Sequence, residues 1–175
     1  MLAKRNGDTD SCAVVSHSEL SERGDMELIV WRHAEAEDSS PDVARKLTSK
    51  GAKQARKMAS WLKERIKKPV RILVSPAMRT QQTAAALSAT FEENAEVGIG
   101  ASAERILHAA GWPHAEGTVI VVGHQPTLGQ LTATLLTGQE NDWAVEKGAV
   151  WWFSTSVEWG DPVTVLRAMI MPKDV

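Results

Sequence analysis

Apolar, strand-like runs alternate along the chain with longer stretches in which apolar residues recur every three or four positions. From residue 27 onwards this alternation is typical of strands and helices that follow one another. The strand-like runs are "ELIVW" (27–31), "VRILV" (70–74), "TVIVVG" (118–123), "VWWFSTS" (150–156) and "VTVLRAMIM" (163–171), with a shorter candidate at 96–99. The run at 118–123 is rich in β-branched residues and uncharged, so it predicts a central strand covered on both faces.

Four stretches have the spacing of helices, and they cover 47–67, 75–91, 102–110 and 126–138. The apolar positions of the first are Ala52, Ala55, Met58, Ala59, Leu62 and Ile66. Thr48 is predicted to cap that helix, and Ser75 to cap the second with Pro76 at its first helical position. Gly111 and Gly138 are expected to end the last two.

The order of these elements predicts an α/β fold. We expect a single three-layer α/β/α domain over residues 26–175, with a mostly parallel central sheet and an antiparallel strand pair at the carboxyl end. Residues 1–25 mix charges, serine and glycine and contain only a short apolar cluster, so we interpret them as a disordered extension or as the product of an upstream start codon.

Composition narrows the class of partner. The chain has 20 Lys and Arg against 22 Asp and Glu, so no overall basic field favours nucleic acid. Cys12 is the single cysteine, which excludes an internal disulfide and favours a reducing, cytoplasmic location. No apolar stretch reaches the roughly 18 residues expected of a membrane span. The strand tryptophans Trp31, Trp151 and Trp152 are expected to pack in the core.

Basic residues follow three of the predicted strands. Arg32 and His33 come directly after the first strand, Arg79 lies one turn after the second, and His124 follows the third. Ligands of open α/β sheets bind outside the carboxyl ends of the strands. If the three strands are neighbours, two arginines and two histidines therefore converge on one pocket suited to phosphate.

Other interpretations of these residues stay open at this point. Each histidine alone could be an ordinary polar residue at a strand end, and Arg32 could pair with Glu35, Glu37 or Asp38 on the surface. A metal site with two histidines and a carboxylate is disfavoured, because neighbouring arginines repel a cation and no H-x-x-x-H spacing is present.

Three segments resemble the signature motifs of the histidine phosphatase, or phosphoglycerate mutase-like, superfamily. These are "RHAEA" (32–36), "LVSPAMRTQQT" (73–83) and "VVGHQP" (121–126), and "ARKLTSKGAKQA" (44–55) resembles the segment that follows the first motif. The short chain and the alanine after the histidine point to the small phosphohistidine phosphatase branch of the SixA type. Ala34 stands where many superfamily members have glycine.

The resemblance implies a role for each matched residue. His33 would be the nucleophile that takes the phosphoryl group, Arg32, Arg79 and His124 would hold its equatorial oxygens, and Arg45 would lie at the rim. Nearby guanidinium groups should also keep the nucleophile unprotonated. No cofactor or metal is implied.

The proton donor for the leaving group is the open question. Glu35 ranks first and Glu104 second as candidate acids, although neither matches a family position. A site without a dedicated acid suits phosphohistidine, because imidazole is a better leaving group than an alkoxide. We therefore expect a phosphohistidine phosphatase acting on a phosphotransfer domain or a phosphocarrier protein. The alternatives are a small-molecule phosphomonoesterase of the superfamily and a non-catalytic phosphoprotein-binding module.

Overall fold

A computed structural model describes residues 26–67, 70–158 and 161–175. Within these ranges a six-stranded sheet has the order β3-β2-β4-β1-β5-β6. The strands are β1 (Glu27–Arg32), β2 (Val70–Val74), β3 (Glu92–Glu93), β4 (Thr118–Gly123), β5 (Val150–Glu158) and β6 (Asp161–Ile170). The helices are α1 (Ser49–Arg65), α2 (Met78–Ala85), α3 (Ala103–Ala110) and α4 (Thr127–Thr137), with 3-10 turns at Asp42–Ala44 and Ala95–Val97.

Alternate residues of each central strand face opposite layers, which makes the fold a three-layer α/β/α sandwich. Leu28 and Val30 of β1 pack in a cluster with residues of α3 and α4. Ile29 and Trp31 pack in a second cluster with residues of α1 and α2. The period of two along the strand thus buries β1 on both faces, and the predicted α/β/α architecture is confirmed.

The central position predicted for "TVIVVG" is confirmed. β4 lies between β1 and β2, pairs with both in parallel, and is buried at each of its positions. The parallel pairing brings the carboxyl ends of these strands to one edge of the sheet. The antiparallel carboxyl-terminal pair is also confirmed, since β5 joins β1 and pairs with β6. The connection between them, 159–160, lies outside the described residues.

Local chemistry explains most helix ends. Thr48 caps α1 by accepting a hydrogen bond from the Gly51 N–H, as predicted. Gly111 ends α3 with φ 74° and Gly138 ends α4 with φ 72°, a left-handed conformation in which glycine carries no steric cost. Trp31 is fully buried, and its indole N–H donates to the Gly148 carbonyl at 3.1 Å.

Two local predictions were wrong. The run at 96–99 is not a strand, because Glu92–Glu93 takes the pairing edge of β2 and the chain then turns through Ala95–Val97, which buries Val97 in the core. Ser75 does not cap α2. That helix begins at Met78 after an extended Ala77, and the Ser75 hydroxyl bonds to His124 instead.

The predicted disordered extension at 1–25 lies outside the described residues. Among the helices of the described part of the chain, none combines the length and apolar character needed to cross a membrane.

Candidate active site

The carboxyl ends of β1, β2 and β4 bring three predicted residues, His33, Arg79 and His124, into contact. Arg79 Nε lies 3.3 Å from His33 Nε2, and Arg79 Nη2 lies 3.3 Å from His124 Nδ1. The two imidazole rings have centroids 5.3 Å apart. Arg32 belongs to the same cluster, because its charge acts on both rings. The structure therefore assembles a pocket with two guanidinium groups and two imidazoles, which we call the basic floor.

His33 presents an unprotonated Nε2 to this pocket. Its Nδ1 lies 2.8 Å from the Ala34 carbonyl, which can only accept, so we assign the ring proton to Nδ1. The lone pair of Nε2 then accepts from Arg79. Burial, together with the charges of Arg79, Arg32 and Lys147, lowers the pKa of His33 to about 4, although the hydrogen bond to the Ala34 carbonyl acts to raise it. The ring is thus neutral at physiological pH and able to act as a nucleophile.

His124 has the opposite tautomer. Its Nδ1 accepts from Arg79, so the ring proton belongs on Nε2, which lies 2.7 Å from the Ser75 hydroxyl oxygen. Burial is the main cause that lowers the pKa of His124 to about 3, and the charge of Arg79 adds to it. Ser75 therefore orients the His124 ring, and this hydrogen bond is the structural role of Ser75.

One nitrogen of the Arg32 guanidinium donates to the protein backbone, and a second has no partner in the described part of the chain. Its Nη1 donates to the Val145 carbonyl at 2.6 Å, and the surface ion pair with Glu35, Glu37 or Asp38 does not form. Among the described residues its buried Nε has no hydrogen-bond partner. Burial lowers the pKa of the guanidinium. A buried donor without a partner is costly, so Arg32 is held at this position at some expense of stability.

Arg79 is positioned by an acidic residue that the sequence reasoning missed. Arg79 Nη1 donates to the Asp42 carbonyl at 2.7 Å, and Nη2 donates to Asp42 Oδ2 at 3.0 Å. Arg45, predicted at the rim, donates from Nη1 to Asp42 Oδ1 at 3.0 Å and from Nε to the Glu37 carbonyl. The spacing of three residues between Asp42 and Arg45 in "DVAR" was a weak pointer to this pair. We call Glu35, Asp42 and Arg45 the rim.

The remaining residues of the second motif support the floor. Thr80 Oγ1 donates to the Ser75 carbonyl at 2.9 Å. Thr83 Oγ1 accepts from the Ala34 N–H at 3.1 Å and so fixes the backbone next to His33. Gln82 accepts from the Leu47 N–H at 2.7 Å. Thr80, Gln82 and Thr83 thus join α2 to neighbouring segments of the chain.

The segment after the first motif holds the loop that carries Glu35. Thr48 N–H donates to the Glu35 carbonyl, and Gln54 Oε1 accepts from the Glu35 N–H, both at 3.0 Å. A Cβ on Gly51 would lie 1.8 Å from the Glu35 carbonyl oxygen, so this position admits only glycine without a shift of the backbone.

Neither candidate acid has the surroundings of a proton donor. Hydrogen bonds from Lys50 and Thr48 hold the Glu35 carboxylate and lower its pKa, which favours the ionised form. Glu104 is exposed in the first turn of α3. Within the described residues, no hydrogen bond or ion pair joins it to the basic floor. The described part of the chain also contains no group of three or more His, Cys, Asp or Glu placed to hold a metal.

Comparison with known proteins agrees with this fold and identifies the family. The model of the histidine phosphatase superfamily (branch 1) matches residues 28–102, which include the first two motifs. Phosphohistidine phosphatase SixA of Escherichia coli (strain K12) is 30% identical over 127 residues, covering 65% of this chain and 76% of the relative. The chain belongs to the histidine phosphatase superfamily and is a phosphatase with a catalytic histidine.

Solved structures place it in the SixA-type branch. A candidate phosphohistidine phosphatase SixA from Nakamurella multipartitia superposes with a TM-score of 0.71 at 28% identity, covering 85% of this chain and 97% of that one. A protein histidine phosphatase SixA complexed with tungstate superposes with a TM-score of 0.67 at 25% identity, covering 85% and 98%.

Proposed function

We propose that this protein is a phosphohistidine phosphatase that works through a covalent phospho-His33 intermediate. The observation that carries the proposal is the His33 ring itself: its Nδ1 is bonded to the Ala34 carbonyl, and its unprotonated Nε2 faces Arg79. A neutral imidazole with a free lone pair beside guanidinium groups is suited to attack phosphorus.

The reaction has two displacements. In the first, His33 Nε2 forms a bond to phosphorus while the bond from phosphorus to the substrate's leaving atom breaks, and the electron pair goes to that atom. In the second, water attacks the phosphorus of phospho-His33, the P–N bond breaks, and inorganic phosphate and the original ring are released. The ring proton stays on Nδ1, hydrogen-bonded to the Ala34 carbonyl, in both steps, which keeps the ring orientation fixed.

The other floor residues would stabilise the transferring group. Arg79 lies between the two rings, and the guanidinium of Arg32 keeps donors beyond the one bonded to Val145, so both groups can donate to phosphoryl oxygens. His124 can bind a third oxygen once the phosphoryl group displaces its contact with Arg79 and the ring proton moves from Nε2 to Nδ1, so that Nε2 accepts a hydrogen bond from the Ser75 hydroxyl. Its Nε2 remains anchored to Ser75.

Phosphohistidine on a protein is the substrate that this site supports best. Phosphohistidine leaves as imidazole and needs less help from an acid than an alkoxide does, and Glu35 is held ionised by Lys50 and Thr48. Two of the similar proteins are described as phosphohistidine phosphatases, and one as a protein histidine phosphatase in complex with tungstate, a tetrahedral oxyanion like phosphate. We propose a phosphotransfer domain or a phosphocarrier protein as the physiological partner.

Rapid-quench labelling tests this proposal. Wild type and His33→Ala are mixed with a protein that carries 32P-phosphohistidine, at neutral pH without added metal, and the acid-labile label on each enzyme is followed. Wild type should become labelled transiently and release phosphate, whereas His33→Ala should do neither. Turnover by wild type without any label on His33 would exclude the covalent intermediate, and turnover of a phosphate ester in preference to phosphohistidine would indicate a small-molecule phosphomonoesterase.

A further inference from the structure

An acidic side chain contacts the basic floor from the solvent side. Asp42 Oδ2 accepts from Arg79 Nη2 at 3.0 Å, and Arg79 Nε in turn lies 3.3 Å from His33 Nε2. The side chain of Arg79 is 6% exposed, whereas that of Asp42 is 53% exposed. A substrate that enters from solvent therefore passes the Asp42 carboxylate before its phosphoryl group reaches Arg79.

This carboxylate is negative when the enzyme works. Hydrogen bonds from Arg45 and Arg79 lower the pKa of Asp42. Asp42 cannot then supply a proton to a leaving group at neutral pH. It can act only as a fixed negative charge at the entrance of a pocket that is otherwise positive.

The position of the Asp42 carboxylate determines which part of the substrate it faces. In-line displacement places the leaving atom opposite the attacking His33 Nε2, hence towards the mouth of the pocket. His33 is 8% exposed and lies at the bottom of the site, while the Asp42 side chain lies one guanidinium group away on the open side. The leaving group, and not the phosphoryl oxygens, is thus the part of the substrate that faces Asp42.

We propose that Asp42 determines specificity by favouring substrates whose leaving group carries positive charge, namely the protonated ring of phosphohistidine, over phosphate esters. This inference rests on the proposed function of the same site. It assigns to the rim a role in choosing the substrate class, beyond its role in holding Arg79.

The chemical step explains the selectivity. In protonated phosphohistidine, one ring nitrogen bears the phosphoryl group and the other bears a proton. When His33 Nε2 forms its bond to phosphorus, the old P–N bond breaks and its electron pair returns to the departing nitrogen, so the ring leaves neutral with its proton still on the other nitrogen. No acid is required. A nearby carboxylate stabilises the cationic ring as it approaches, whereas it repels the alkoxide that develops from an ester.

The test compares two peptides of identical sequence except that one carries phosphohistidine and the other phosphoserine. kcat/KM is measured for both with wild type, Asp42→Asn and Asp42→Glu, and with Asp38→Asn as a matched control on an exposed neighbour. Asp42→Asn should lower the ratio of phosphohistidine to phosphoserine turnover about two- to fivefold, the scale of partly exposed charge interactions. Asp42→Glu, which restores the charge, should recover most of that ratio, and Asp38→Asn should leave it unchanged.

A second measurement distinguishes the effect of the Asp42 charge from the effect of Asp42 on the position of Arg79. Loss of the Asp42 carboxylate leaves Arg79 uncompensated, so inorganic phosphate should inhibit Asp42→Asn at lower concentration than it inhibits wild type. A parallel fall in turnover of both peptides, or an unchanged ratio, would mean that Asp42 only positions Arg79, and would overturn the inference. Failure of wild type to act on the phosphohistidine peptide would instead reject the proposed function, so the two failures are distinguishable.

Discussion

The floor and the rim of the pocket are built in different ways. The floor residues His33, Arg79 and His124 are 8%, 5% and 6% exposed, and hydrogen bonds connect them to one another. The rim is carried by the loop between β1 and α1, where the Asp42 side chain is 53% exposed. Burial fixes the protonation and geometry of the floor, which the transferred phosphoryl group requires. The rim is open to solvent, so it is suited to selecting the leaving group.

Replacement of Arg79 by lysine should give the largest effect of any conservative change in the floor. Lysine keeps the charge but cannot reach His33, His124 and Asp42 with three separate nitrogens. We expect kcat to fall about 10²- to 10³-fold, as for loss of a preorganised donor to a transferring group. Steady-state turnover of the phosphohistidine peptide measures it.

The matched control for Arg79→Lys is Arg71→Lys. Arg71 is exposed on β2 and pairs with Glu92, away from the pocket. It should retain wild-type turnover. A loss of less than tenfold in Arg79→Lys would mean that charge alone suffices at this position, and that the fork of donors is not part of catalysis.

Acid should destabilise the protein through the histidines of the floor. The pKa of His33 is lowered from 6.5 to about 4 and that of His124 from 6.5 to about 3, so both rings should stay neutral in the folded protein as the pH falls from 7 to about 4. In that range the unfolded chain binds more protons than the folded one. The free energy of unfolding should therefore decrease as the pH falls through the window from about 6.5 to 4.

NMR titration of the histidine ring protons in the free protein measures these pKa values directly, and urea unfolding at several pH values measures the stability. His124→Asn should reduce the pH slope of stability, because one ring that resists protonation is removed. Ring signals of His33 and His124 that titrate near 6.5 would contradict the assignment of a buried, neutral pair.

The contrast between floor and rim also corresponds to the difference between what could and what could not be predicted from the sequence. Arg32, His33 and His124 directly follow apolar strands, and parallel strands bring their carboxyl ends together, so their convergence followed from the pattern alone. The central place of β4 and the antiparallel carboxyl-terminal pair followed from the same pattern, whereas the order of the strands in the sheet did not. Arg79 was predicted because it lies one turn after a strand.

Two features of the site depend on tertiary distances that no local pattern encodes. Serine is a common helix-capping residue. The Ser75 hydroxyl nevertheless lies 2.7 Å from His124, because β2 and β4 are adjacent. Asp42 follows other acidic residues in an irregular loop, so only its spacing of three residues from Arg45 distinguishes it weakly from Glu37 or Asp38. Only the packing of Asp42–Ala44 against α2 brings it to Arg79.

Glu35→Gln should have the smallest effect, although Glu35 lies two residues from His33. Its carboxylate accepts hydrogen bonds from Lys50 and Thr48, which keep it ionised and unable to donate a proton. An amide oxygen can replace most of these contacts. We expect kcat/KM for the phosphohistidine and phosphoserine peptides to change less than about threefold, in line with exposed ion pairs. Glu37→Gln serves as the control on the same loop. A selective tenfold loss on phosphoserine would show instead that Glu35 donates a proton to ester leaving groups, and the division between a catalytic floor and a selective rim would then fail at this residue.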